Sequence, residues 1–291
     1  MTIDVGHLLA SFGGGIIGAA IGGLNSFIMT GILVLAGVAA GFFDQPQAGA
    51  ILNSVAFGPM FGPHIAFAGG VAAAAYASEK RLDVNAKDIG VPLVKLNRPD
   101  VLVIGGVFGV IGYLLNTLWV SMALKTDTIA LTVTLSNMLA RGLFCKEGPF
   151  GTLTDDLKNK GFVGRFVIKE GYCWLPWQKD FMQLFVIGLG FGLPSGVVGV
   201  ATGQPVLAFG IAGAYLIFLA HKPGFPVVHH VMLPAALAAH ATGSVLMGGV
   251  FGILGALLGE LAARLFYNYG KSHIDPPAVA IAILTTIILF L

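Results

Sequence analysis

Charge is what this sequence has least of. Only 10% of its 291 residues are Asp, Glu, Lys or Arg, against about 25% in an ordinary soluble domain, so water is not its main solvent. Between Leu8 and Ser78 the single residue of those four types is Asp44, and from Phe181 to Leu291 there are only Lys222, Glu260, Arg264, Lys271 and Asp275. The apolar stretches show no alternation of apolar and polar residues over segments of about ten, which excludes a transmembrane β-barrel. No cluster of Lys and Arg interleaved with aromatics is present, which excludes nucleic acid as a partner. Cysteine is nearly missing: Cys145 and Cys173 lack the short paired spacing of a zinc or redox motif and read as free thiols. There is no nucleotide motif, metal-ligand set or catalytic triad, so neither an enzyme nor a cofactor is expected. The N-terminal Met-Thr-Ile-Asp-Val-Gly-His has no basic region, so the first apolar segment reads as retained, not as a cleaved signal.

What is present is apolar bulk and glycine. Hydrophobic residues make up 56% of the chain, in runs near the roughly 20 residues that a helix needs to cross a bilayer. The 42 glycines exceed the usual share of about 7%, and in apolar helices such residues let backbones approach closely.

The chain also repeats itself. Gly105-Gly106-Val107-Phe108-Gly109-Val110-Ile111-Gly112-Tyr113-Leu114-Leu115 returns as Gly248-Gly249-Val250-Phe251-Gly252-Ile253-Leu254-Gly255-Ala256-Leu257-Leu258, identical at eight of eleven positions. In the same chain order, Gly14, Gly18 and Gly22 correspond to Gly188, Gly192 and Gly196. Asn25-Ser26-Phe27-Ile28 with Gly31 corresponds to Gln204-Pro205-Val206-Leu207 with Gly210. Gly62-Pro63-His64 corresponds to Phe225-Pro226-Val227-Val228-His229-His230, and Asp127-Thr128-Ile129-Ala130-Leu131 to Asp275-Pro276-Pro277-Ala278-Val279.

Each copy divides into five apolar segments, at 9–24, 26–43, 47–78, 101–124 and 127–145, and at 181–201, 203–221, 226–243, 245–267 and 275–291. An odd number per copy gives the two copies opposite orientations. The third segment is too long for one straight crossing and is interrupted by Gly58-Pro59 and Gly62-Pro63, so broken helices are expected. The sequence therefore predicts an all-α integral membrane protein of about ten transmembrane segments. They form two inverted five-segment repeats with broken helices, over 9–145 and 181–291, joined by a cytoplasmic loop at 146–180. Cytoplasmic loops collect Lys and Arg. The loops at 79–100 and 146–180 hold eleven of them, and the same count puts fifteen of the sixteen basic residues on the cytoplasmic side, leaving Lys125 and both termini outside.

Several residues in this frame carry polar chemistry. Asp127 and Asp275 open the last segment of each copy, where Asp is a favoured helix cap; besides capping, they are candidates for an ion or proton site. Asn25 and Gln204 sit at equivalent breaks and offer uncharged hydrogen bonding, which suits a neutral polar solute. His64, His229 and His230 follow the proline breaks and are candidates for handling solute or protons at membrane depth. Glu260 and Arg264 have the spacing of a helical ion pair, and Trp174-Leu175-Pro176-Trp177 reads as an interfacial aromatic anchor.

With the halves drawn, Gly23-Leu24-Asn25-Ser26-Phe27-Ile28 and Gly31 resemble the Gly-Tyr-Asn-Gly segment of the urea transporters, and the Gln204 stretch resembles its second copy. That resemblance implies two inverted halves, each with a tilted half-spanning helix, around a narrow pore for a urea-like or amide-like solute. It also implies a homo-oligomer, a trimer with one pore per subunit. The leading expectation is a membrane channel or facilitator for a small polar solute. The alternatives are an ion-coupled secondary transporter and a membrane subunit of a larger complex docked through 146–180.

The orientation is open to a direct check. Cysteines introduced as Leu82→Cys and Asn159→Cys should resist an impermeant thiol reagent added to intact cells. Efficient labelling of both would reverse the topology.

Overall fold

The computed structural model describes residues 3–222 and 224–291, so the first two residues of the N-terminal stretch lie outside it, and every regular element it describes is helical. In chain order the helices are α1 (Val5–Ile21), α2 (Gly23–Gly41), α3 (Gln45–Ala50), α4 (Ala68–Glu79), α5 (Pro99–Ser121), α6 (Thr128–Ala140) and α7 (Asp155–Lys158). Then follow α8 (Phe181–Thr202), α9 (Val206–Ala214), α10 (Ile217–His221), α11 (His229–Thr242), α12 (Val245–Ala262) and α13 (Pro276–Ile288). Wide π-type turns extend α3 to Ala56, α6 to Cys145 and α12 to Tyr267, and precede α4 from Pro63.

Five of these helical stretches are long and apolar enough to cross a membrane: Gly23–Gly41, Pro99–Ser121, Thr128–Cys145, Phe181–Thr202 and Val245–Tyr267. In α5 and α8 only a third of the most apolar window is buried, and Val103, Val107, Val186 and Val197 point outward. Apolar faces of that kind match a hydrocarbon surrounding and not water.

Helix starts follow the capping chemistry of the sequence. Asp4, Asp127 and Asp275 accept hydrogen bonds from the backbone amides of His7, Ala130 and Ala278, at 2.7, 2.8 and 2.9 Å. Between α1 and α2 the chain turns within one residue, Gly22, whose φ of +93° suits glycine alone.

The third segment breaks where its glycines and prolines stand. Helical structure stops at Ala56 and resumes at Pro63, and the carbonyl of buried Phe61 accepts a bond from Thr30 Oγ1 at 2.6 Å. A second interruption, before α11, includes residues 224–228. There the Trp177 indole donates to Phe225 O at 3.0 Å and the Tyr215 hydroxyl to Pro226 O at 3.1 Å. The Gln178 amide closes two bonds with the Val227 backbone, at 2.8 and 3.0 Å. The indole N–H of Trp177, in the Trp174–Trp177 segment, is thus engaged within the chain. An interrupted helix leaves carbonyls in need of donors, and the segment turns inward to supply them.

Small residues form two matching seams. A Cβ on Gly109 would press on Ser11 O and Gly15 Cα, and one on Gly105 on Gly15 O and Ala19. Likewise a Cβ on Gly252 would press on Gly188 O and Gly192 Cα, and one on Gly248 on Gly192 O and Gly196. The counterparts of Gly188, Gly192 and Gly196 in the first copy are thus Ser11, Gly15 and Ala19, three residues earlier than the glycine spacing alone implies. Gly14 and Gly18 face the other way, onto the carbonyls of Pro59 and Ala66 in the interrupted segment. The His64 and His230 carbonyls lie against Gly112 and Gly255, again at matching positions.

At one end the halves are stapled together. Arg141 is fully buried, and its guanidinium donates to Pro149 O, Phe266 O, Ser272 O and Ser272 Oγ. Glu260 and Arg264 form the expected pair at 2.7 Å, and Arg264 also reaches Phe166 O in the linker at 3.0 Å. Cys145 and Cys173 are both free.

Gly18→Ala should be costly, because its methyl would overlap the Ala66 backbone; overpacking of this kind costs about 1–3 kcal/mol. Gly13→Ala, in the same helix with open space around it, should be neutral or stabilising. Thermal unfolding of the two variants in detergent measures the contrast.

Candidate functional site

A cavity of about 550 Å³ lies where the two halves meet, within the size range of small-molecule sites. Leu24 and Phe27 of α2 wall it on one side, Val206 and Phe209 at the start of α9 on another, and the first turns of α6 and α13 on a third. Leu233 and Leu237 of α11 line its depth, and Trp174, Trp177 and Tyr267 one end. The wall is mainly aromatic and aliphatic; its ionisable members are Lys87, Asp127, His229, Tyr267, His273 and Asp275.

The structure brings Asp127, Asp275 and His229 to this one space and leaves the other candidates outside its wall. Asp127 is held as the cap of α6. Thr126, just before it, donates to Ala282 O at 2.9 Å, so α6 begins beside the middle of α13. Asp275 caps α13 through Oδ2, and its Oδ1 stands 3.1 Å from Nε2 of His273. His229 packs its ring 4.7 Å from Phe27 and 5.7 Å from His230, and its Nδ1 has no hydrogen-bond partner.

The remaining candidates have other surroundings. Asn25 donates to Ile21 O at 2.6 Å and Gly90 O at 3.3 Å, so its amide closes the α1–α2 turn. The Gln204 backbone amide donates to Thr202 Oγ1 at 3.0 Å, one residue ahead of the stretch that reaches the cavity. His64 and His230 are buried; His230 has no partner on either ring nitrogen and rests against Gly259, where any side chain would displace it.

Three ionisable cavity residues escaped the sequence reading, namely His273, Lys87 and Tyr267. His273 stands two residues before Asp275, a spacing that carries a signal. Lys87 counted there only as one of the loop charges. Its Nζ donates to Asn268 O at 3.0 Å and lies 4.6 Å over the Tyr267 ring. His273 N donates to Ala86 O at 3.3 Å, so the 80–98 loop is strapped across to the second half at the cavity's end. Burial, with Arg141 nearby, brings the Lys87 amine down from its ordinary 10.5 to about 8, and Glu147 opposes that shift.

A family model matches the chain over residues 1–147 and 151–291, and its description is a family of unknown function (DUF7973). The division between the matched stretches falls at the start of the linker that joins the two sequence copies. No curated protein and no solved structure matches.

Lys87 makes stability depend on pH in a defined window. Between about 8 and about 10.5 the folded chain holds this amine neutral while the unfolded chain binds a proton, so the linked stability rises with pH across that range. Thermal unfolding should show that rise in the wild type, and Lys87→Met should flatten it.

Proposed function

The chain belongs to the DUF7973 family of unknown function, and for it we propose a membrane transporter of ten spans in two inverted halves, with the central cavity as its solute-binding site. The observation that carries this reading is the cavity's position, with walls drawn from equivalent elements of both halves: α2 with α9, and α6 with α13. Transporters built from inverted repeats bind substrate at the repeat interface, near the bilayer midplane, where interrupted helices expose polar groups. The paired seams, the two interruptions and the overlap of α6 with α13 all support two copies of one plan. The distribution of Lys and Arg supports the orientation with both termini outside.

The lining supports a particular solute. Phe27, Phe57, Phe209, Leu233 and Ile281 offer an apolar surface, and Asp275, His229 and His273 form one polar group in it beside Asp127, Lys87 and Tyr267. That wall suits a small molecule with an apolar body and one polar end. A wholly polar, urea-like solute would meet few hydrogen-bonding groups here, since Asn25 is engaged with backbone carbonyls. The linker's own bonds argue for a transporter that works alone: Tyr269 donates to Val167 O at 2.6 Å and Lys169 pairs with Asp156 at 2.8 Å, so much of 146–180 docks on its own chain.

Uptake of a panel of labelled small amphipathic compounds into proteoliposomes tests the reading. At least one compound should accumulate above protein-free vesicles. Val133→Trp, which fills the cavity from α6, should abolish that uptake with folded yield retained. Uptake at the wild-type rate by this variant would move the path elsewhere.

A further inference from the structure

Asp127 and Asp275 are equivalent as helix caps, and they differ in what stands beside them. Two residues before Asp275 is His273, which is 3% exposed and has its Nε2 3.1 Å from Oδ1. Two residues before Asp127 is Lys125, which is exposed and takes part in no ion pair among the described residues. The His273 imidazole is the sole basic side chain paired with Asp275 among the described residues. The second nitrogen of His273, Nδ1, is buried without a partner, as is Nδ1 of His229 in the same cavity.

The surroundings contain few other charges. From α11, His229 faces the site with His230 behind it. From the turn after α12 comes Tyr267, its ring 5.3 Å from that of His273, with Lys87 over its other side and Asp88 in the same loop. From α6 come Asp127 at the start and Arg141 at the end, the latter bonded to Ser272. Nothing in this set cancels a charge on Asp275 directly, because Arg141 is occupied by carbonyl groups and Lys87 by Asn268.

We infer that Asp275 and His273, with His229 across the cavity, form one proton-carrying site, so that the carrier moves its solute together with proton movement while Asp127 serves as a cap. The step balances simply. With Asp275 ionised and both histidines neutral the cluster has one negative charge. One proton from water on the side to which the cavity opens forms an O–H bond on Asp275 or an N–H bond on His273, and the cluster becomes neutral. The proton leaves to water on the other side once the halves have moved. A carboxylate without a cationic partner is costly to enclose in an apolar cavity, and carboxylate–histidine chains at membrane depth serve as proton relays. The coupling rests on the transporter reading above; proton binding at Asp275 does not.

Two measurements on the full chain keep these apart. In pH-difference infrared spectroscopy, acidification should produce a protonated-carboxyl band that is lost in Asp275→Asn and kept in Asp127→Asn. Asn caps helices about as well as Asp, so both variants should fold, which their thermal unfolding curves check. His273→Gln should shift the midpoint of that band, and Trp174 and Trp177, which line the same cavity, should report the same titration by fluorescence. A band that survives Asp275→Asn, or no band at any pH the fold tolerates, overturns the proton site. The second measurement uses vesicles containing a pH dye and the compound found in the uptake panel. Lumenal pH should change with uptake by the wild type and stay constant with Asp275→Asn. Uptake by the wild type without a pH change overturns the coupling and leaves the carrier standing. A titrating Asp275 in a chain that takes up no compound overturns the carrier and leaves the proton site.

Discussion

A backbone group released from its helix in an apolar interior has no water to bond, and much of the architecture follows from how this chain meets that demand at two places. At 57–62 the donor is Thr30, on α2. At 224–228 the donors are Trp177 and Gln178 from the linker and Tyr215 from the end of α9. Each interruption is therefore tied to an element that also borders the cavity. The helices on either side of a break cannot continue straight, and the space they leave between the halves is the one that Phe27, Phe209 and His229 line.

The glycine seams make this arrangement possible. With Gly15 against Gly105 and Gly109, and Gly192 against Gly248 and Gly252, α1–α5 and α8–α12 approach at backbone distance. In lipid there is no hydrophobic gain from bringing two helices together, and close van der Waals packing takes its place. The seams use up the small residues on one face of each helix and leave the bulky ones outward, where Val103, Val107, Val186 and Val197 stand exposed. Rigid pairs of this kind suit a protein whose interior holds a hollow.

Most of the helical framework was legible because hydropathy and turn residues act locally. The apolar segments, the glycine and proline break at 57–62, the Asp caps of α6 and α13 and the Glu260–Arg264 pair can all be read from neighbours in the chain. The site was legible in part. Asp127, Asp275 and His229 stood out as polar residues in apolar runs, and they do line the cavity. Lys87 and the two tryptophans did not, since they reach the cavity from loops whose paths depend on partners far along the chain: Lys87 bonds Asn268 and Trp177 bonds Phe225. The glycine register was also misplaced by three residues, because a helix rich in glycine presents small residues on several faces and only the partner helix selects one. Asn25 drew notice as a polar residue at a break, and the break itself engages it.

Arg141 has a consequence for motion. Arg141 itself stands at the end of the first half, and its guanidinium is held by the carbonyl of Pro149 at the start of the linker and those of Phe266 and Ser272 in the second half. Drawing any of these away strands part of a fully buried cation, a change far more costly than parting apolar side chains. In the proposed carrier, any relative movement of the halves would have to leave this knot in place.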